Sequence, residues 1–317
     1  MVFAVYKVDW RQVAETFAQA QYVYLLPALA VVLLYLLARA VRWRILLGSQ
    51  VSLSRCFWIG NVGYLVSNVF PLRLGDPARA VIVGQGGQVS IAAALSTVVV
   101  ERVLDMLMVV LILAGVAPFV TGVGDAVSMG VVAGALALTA LAVLILLAFR
   151  PDWGRWLVRR VLGWVPRIDR ERWQRTLDGL FDGLAPLRSW RRGLALLAWS
   201  AVTWACVVGY YWALLRAFMP RPPILAAPFM VSAIGLGMAV PSTPGAMGLF
   251  HAIARYALVI PFGVPTGQAV SIAFASHAFQ YILILILGLI GLAREGLSFA
   301  RLRADVSTTL TEEHPTQ

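Results

Sequence analysis

Glu101, Arg102 and Asp105 stand in the middle of a long apolar run, with no aqueous loop nearby. Upstream, a second apolar stretch carries Arg73, Asp76 and Arg79. Glu101 and Asp105 are four residues apart and share a helix face, and Arg102 lies three residues from Asp105 and can pair with it. The six charges, three of each sign, sum to zero. That balance fits a mutually neutralised cluster, since each charge would cost a few kcal/mol or more if left facing lipid. Such a set can staple two segments together. It can also leave Arg73 and Arg79 facing a cavity, where a guanidinium suits a phosphate bidentately. The backbone amides of a helix starting after Pro77 would add donors.

The other half of the chain is less charged. His251 and Arg255 are four apart, and His277 with Gln280 lies inside the last apolar run. Beside a chain break, His251 and Arg255 are the better candidates for a headgroup contact. A lone His277 in an apolar span equally suits a hydrogen bond to a backbone carbonyl. The candidate substrate-binding set is therefore Arg73, Asp76, Arg79, Glu101, Arg102, Asp105, His251 and Arg255. No metal-ligand cluster, cofactor motif or catalytic constellation is evident. Asp178 and Asp182 form a close acidic pair in the basic loop, and they read as a solvated helix face.

The elements that must position these residues follow from composition. The chain has 317 residues, 60% hydrophobic and 13% charged, which marks an integral membrane protein rather than a soluble domain. Of 26 basic residues only Lys7 is lysine, and the net charge is +11. Most arginines flank apolar segments, so orientation and anionic headgroups explain the charge better than nucleic acid. Cys56 and Cys206 read as small buried hydrophobes. The first 20 residues carry Lys7, Asp9, Arg11 and Glu15 and lack the apolar core of a cleavable signal peptide.

A hydrocarbon core of about 30 Å needs roughly 20 apolar residues. Five runs qualify: about 22–40, 90–120, 128–149, 194–216 and 266–292. Two further apolar segments, 54–88 and 225–262, are interrupted. The first breaks at Asn68, Pro71, Gly75 and Pro77, and the second at Pro241, Ser242, Pro244, Gly245 and Gly248. The loop 150–192 holds eleven Arg against five acids and should be cytoplasmic. Arg39, Arg42, Arg44 and Arg55 after the first span, and Arg294, Arg301 and Arg303 after the last, should lie on the same side. Five crossings achieve this with the N-terminus outside and the C-terminus inside, provided both interrupted segments return to the side they entered from.

The expected fold is an all-α polytopic membrane protein, an inverted repeat with two re-entrant helical hairpins. The chain is one membrane domain, 1–317. Repeat one covers 22–120, a connector span and basic loop 121–193, repeat two 194–292, and a C-terminal tail 293–317. The repeats are offset by 170 residues, from Pro71-x-x-x-Gly75 to Pro241-x-x-x-Gly245. Paired broken helices in corresponding halves point to a transport site near the midplane. The alternating Trp and Arg residues of 150–192 suit an amphipathic segment lying in the interface.

At these residues the chain resembles a known family. Asn68-x-x-Pro71-x-Arg73-x-Gly75-Asp76-x-x-Arg79, Glu101-Arg102-x-x-Asp105 and Pro241-x-x-Pro244-Gly245-x-x-Gly248 resemble the flippase-like transmembrane domain of lysylphosphatidylglycerol synthases, over about residues 8–295. The resemblance implies movement of an anionic or lipid-linked headgroup between leaflets of the plasma (inner) membrane, with a phospholipid or polyprenyl-phosphate-linked lipid as partner. Asp76 stands where the family more often has Glu, and His251 and His277 stand where many members have Glu and Arg. Two other readings compete with a flippase: a membrane transferase acting on a lipid phosphate, and a non-catalytic partner of a separate lipid synthase.

Overall fold

The computed structural model describes residues 10–70, 74–122, 124–162, 170–238 and 244–297, and among these the chain is all-helical. The helices are α1 Trp10–Ala18, α2 Leu25–Leu46, α3 Leu53–Val69, α4 Gly75–Gln85, α5 Ile91–Val116, α6 Gly124–Phe149, α7 Pro151–Leu162, α8 Arg170–Gly183, α9 Trp190–Phe218, α10 Ala226–Gly237, α11 Leu249–Phe262 and α12 Thr266–Arg294. Among the described residues, four segments are long and apolar enough to cross a membrane: Tyr22–Leu46, Gly124–Phe149, Trp190–Phe218 and Thr266–Arg294. Sequence reading counts five. The fifth, α5, has 26 residues, about 39 Å at 1.5 Å per residue, and is strongly apolar, but any stretch of it long enough to cross carries three charges, Glu101, Arg102 and Asp105.

The first span is longer than the sequence suggests. Apolar content falls off at Arg39, yet α2 runs on to Leu46. Its buried face is Ala28, Val32, Leu36, Ala40 and Trp43, a stripe at helical spacing. That stripe packs along α9, and the pair is antiparallel. Arg42 Nη1 donates to Ser200 Oγ at 3.1 Å near one end, and Arg216 Nη2 donates to Tyr24 Oη at 3.1 Å near the other.

Two pairs of short helices pack against this frame. Helices α3 and α4 have 17 and 11 residues, about 25 and 16 Å, and neither can cross alone. The same holds for α10 and α11, with 12 and 14 residues. Ser52 caps α3, its hydroxyl accepting from the Arg55 amide at 3.3 Å; this satisfies one of the free amides of the first turn. Helix α4 folds back so tightly that a side chain at Gly75 would collide with the Gly63 carbonyl and the Ser67 hydroxyl. Gly288 and Gly291 of α12 lie against Leu65 and the Trp58 carbonyl of α3. Small residues permit such close helix packing where lipid supplies no hydrophobic drive.

Two cores result. One centres on α3 and α4 with Trp43, Leu46, Ile59, Leu65, Ile82 and Leu104; the other on α10 and α11 with Leu214, Phe229, Met230, Phe250, Leu258 and Ile272.

The basic loop departs from expectation. Its second helix, α8, docks along α5 instead of lying free in the interface. Leu177 and Phe181 are buried, the Ser96 hydroxyl donates to the Leu180 carbonyl at 2.7 Å, and Gly179 and Gly183 sit against Ser90, Ala93 and Ser96. Trp153, Trp156 and Trp173 remain exposed. Asp178 pairs with Arg155 at 2.9 Å, consistent with a solvated face. Residues 163–169, including Trp164, lie outside the described residues. Both cysteines are buried and free.

Candidate functional site

Seven charges from three helices form one connected network. Helix α5 supplies Glu101, Arg102 and Asp105, helix α4 supplies Asp76 and Arg79, and helix α2 supplies Arg39 and Arg42. Glu101 is shared by three guanidinium groups: Arg39 Nη2 at 2.5 Å, Arg42 Nη2 at 3.2 Å and Arg79 Nη1 at 3.0 Å. Asp105 also has three, with Arg42 Nη1 at 2.8 Å and Arg39 and Arg102 each at 3.5 Å. Arg102 clamps Asp76 bidentately, Nη2–Oδ1 at 2.7 Å and Nε–Oδ2 at 2.9 Å, and Arg79 reaches the same carboxylate at 3.3 Å.

Burial makes this network strong. Arg42, Arg79 and Glu101 are no more than 2% exposed, so their mutual attraction is little screened by water and none can be left unpaired cheaply. Aromatic rings complete the packing. Arg39 lies 4.9 Å from the Tyr64 ring centroid and 5.8 Å from that of Tyr35, and Arg79 lies 5.0 Å from that of Trp43. These are cation–π distances. The indole of Trp204 donates to Asp105 Oδ1 at 3.2 Å, tying α9 to the cluster.

The charge balance differs from the neutral set read in sequence. Among the described residues, four arginines (39, 42, 79 and 102) face three carboxylates (76, 101 and 105), which leaves one positive charge in excess. The sequence reading assigned Arg39 and Arg42 to a cytoplasmic flank; they are instead core members of the cluster. Their spacing of three within a continuing helix, followed by Trp43 and Leu46, is the signal that could have shown this. Arg102 pairs with Asp105 at 3.5 Å, as their spacing of three allows. Asp105 has two closer or equal partners, and the tightest bonds of Arg102 go to Asp76. Arg73 and Pro71 lie outside the described residues, as do Pro241 and Ser242.

The cluster opens onto a cavity of about 310 Å³. Arg39 and Tyr35 line it from α2, Ser67, Asn68 and Phe70 from the end of α3, Trp204 and Thr203 from α9, and His277, Gln280 and Tyr281 from α12. Gly245 and Ala246 line it from the start of the second short-helix pair's return. Both interruptions of the chain therefore meet at one place. A Cβ added at Gly245 would come 3.3 Å from the Tyr281 ring and 3.5 Å from the Asn68 carbonyl. Gly245 has φ +61°, a conformation that favours glycine, and Gly248 has φ +92°. Pro77 sits in the first turn of α4, where a missing N–H costs nothing.

The histidines divide. His277 lines the cavity and its Nε2 donates to the Gly245 carbonyl at 2.8 Å; a carbonyl can only accept, so that nitrogen carries the proton. His251 lies behind it, its ring 4.9 Å from His277 and 4.3 Å from Phe274, and is buried. Its Nδ1 accepts from the Gly248 amide at 3.4 Å. Neither His251 nor the half-buried Arg255 is part of the cavity wall. His277, Gln280 and Tyr281, at i, i+3 and i+4, share one helix face, and that spacing is readable in the sequence.

No curated protein and no solved structure matches the chain. The model of one family, described as the lysylphosphatidylglycerol synthase TM region, matches residues 1–288. That span takes in all seven charges, both interruptions and the cavity between them. The chain belongs to the lysylphosphatidylglycerol synthase TM region family.

Proposed function

We propose that the protein moves an anionic or lipid-linked phosphate headgroup between leaflets, through the cavity where its two interruptions meet. The observation that carries this reading is the convergence of both interruptions on one cavity lined by Arg39, a guanidinium from a cluster with one positive charge in excess. A guanidinium in low dielectric is a strong, geometrically defined phosphate ligand, and a phosphate there would complete the charge balance.

Architecture supports the same reading. Exchange α2 with α9, α3 with α10, α4 with α11 and α5 with α12, and the packing repeats. Helix α3 packs on α4 and α12, as α10 packs on α11 and α5; α2 packs on α3 and α5, as α9 packs on α10 and α12. Adding 170 to the bounds of α3, α4 and α5 gives 223–239, 245–255 and 261–286, each overlapping its counterpart. The antiparallel run of α2 and α9 supports an inverted relation between the repeats, in which the short pairs act as re-entrant hairpins. Inverted repeats with broken helices at the midplane are the recurring plan of alternating-access carriers. On this reading α5 is a fifth crossing that hides its charges inside the bundle, and the arginine-rich 150–192 region lies in the cytoplasm. The protein acts as a carrier, not an enzyme.

The test is transbilayer movement in proteoliposomes carrying acyl-labelled phosphatidylglycerol and a membrane-impermeant quencher. Purified protein should expose inner-leaflet lipid to the quencher well above protein-free vesicles. Identical traces with and without protein would remove the carrier reading.

A further inference from the structure

Resting on the carrier reading, we infer that the cavity selects a phosphate headgroup bearing a neutral polyol and rejects headgroups bearing an ammonium. Among the described residues the lining carries one charged side chain, Arg39; its other polar side chains include Asn68, Gln280, Tyr281 and His277, which are uncharged hydrogen-bonding groups. No carboxylate lines the cavity among the described residues. The two adjoining segments outside them, 71–73 and 239–243, contain no acid in the sequence.

The nearby carboxylates are already committed. Glu101 and Asp105 each face three arginines and Asp76 faces two. An ammonium group only donates hydrogen bonds and needs an anion to neutralise it in low dielectric. Here the lining offers none; the headgroup's own phosphate is the group that Arg39 binds on the carrier reading, and the ammonium would meet the positive excess that Arg39 presents. Aromatic rings of the lining, among them Trp204, Tyr210 and Tyr281, could face a cation, but a ring carries no net charge and cannot offset the positive excess that Arg39 presents. Hydroxyl groups both donate and accept, as amide and phenol side chains do, so a glycerol-like or sugar-like moiety finds matching partners. The volume of about 310 Å³ is at the small end of ligand cavities, enough for one phosphate and a small polyol and too little for an extended oligosaccharide.

The experiment compares four acyl-labelled lipids in proteoliposomes: phosphatidylglycerol, phosphatidylcholine, phosphatidylethanolamine and lysylphosphatidylglycerol. Phosphatidylglycerol should move faster than the other three by about tenfold or more, as expected for a cation held beside Arg39 at an effective dielectric of about 20. Gln280→Glu, which places an acid in the cavity at unchanged size, should raise movement of the lysyl lipid and lower that of phosphatidylglycerol. Equal rates for all four lipids, or a faster ammonium-bearing lipid, would overturn the inference while leaving the carrier reading intact. If no lipid moves, the carrier reading falls, and thermal unfolding with soluble headgroups then decides the chemistry of the site. Stabilisation by glycerol phosphate but not by phosphoethanolamine sustains the inference; equal stabilisation, or none by either, ends it.

Discussion

Glu101→Gln is expected to be among the most damaging single substitutions in this molecule, costing about 3–5 kcal/mol of stability. The change keeps shape and volume but removes the anion shared by Arg39, Arg42 and Arg79. Four arginines would then face two carboxylates. Arg42 and Arg79 are at most 2% exposed, so water cannot replace the lost partner. The measurement is thermal unfolding of the detergent-purified protein followed by tryptophan fluorescence, together with the yield of monodisperse material. Asp178→Asn is the control. Its pair with Arg155 is mostly exposed, at 56% for the Asp178 side chain, and such pairs contribute about 0–1 kcal/mol. An unchanged unfolding temperature for Glu101→Gln would mean that the cluster does not hold the helices together.

Arg39→Gln should behave in the opposite way, sparing the fold and stopping transport. Without Arg39, Glu101 keeps Arg42 and Arg79, and Asp105 keeps Arg42 and Arg102. Three arginines then face three carboxylates, so the cluster becomes neutral. The stability loss should be about 1–2 kcal/mol, mainly from contacts with Tyr64 and Tyr35. Losing one charge-assisted hydrogen bond to the headgroup, about 1.5–3 kcal/mol, should slow phosphatidylglycerol movement about 10- to 100-fold. Arg39→Lys should fall between wild type and Arg39→Gln, because an ammonium keeps the charge but not the planar fork. If Arg39→Gln moves lipid at the wild-type rate, the guanidinium contacts no headgroup. If it fails to fold, its role is structural.

The short-helix pairs were legible because Pro, Gly and charges interrupt apolar runs. The intervals 54–88 and 225–262 enclose α3 with α4 and α10 with α11 to within a residue or so. Within the charged set, the spacing of Glu101, Arg102 and Asp105 correctly implied a shared face and a link to Asp76 and Arg79. Arg39 and Arg42 escaped notice because arginines after an apolar run look the same whether they meet headgroups or buried acids. Only the approach of α5 to α2 distinguishes the two. The same ambiguity hid α8, since an amphipathic pattern does not say whether its apolar face meets lipid or another helix. His277 was visible as a polar residue in a span, but its place on the cavity depends on where Gly245 comes to rest.

The most direct test of the central claim asks whether blocking this one cavity, in a protein otherwise unchanged, blocks movement. Asn68 lines the cavity at the first interruption and is half-buried, whereas native Cys56 and Cys206 are buried. Asn68→Cys, reconstituted and treated with a methanethiosulfonate reagent, should lose phosphatidylglycerol movement to the protein-free level and regain it when the adduct is reduced. Treated wild-type protein should be unaffected. Full movement by a completely modified Asn68→Cys protein would contradict the account, because the headgroup would then be passing elsewhere.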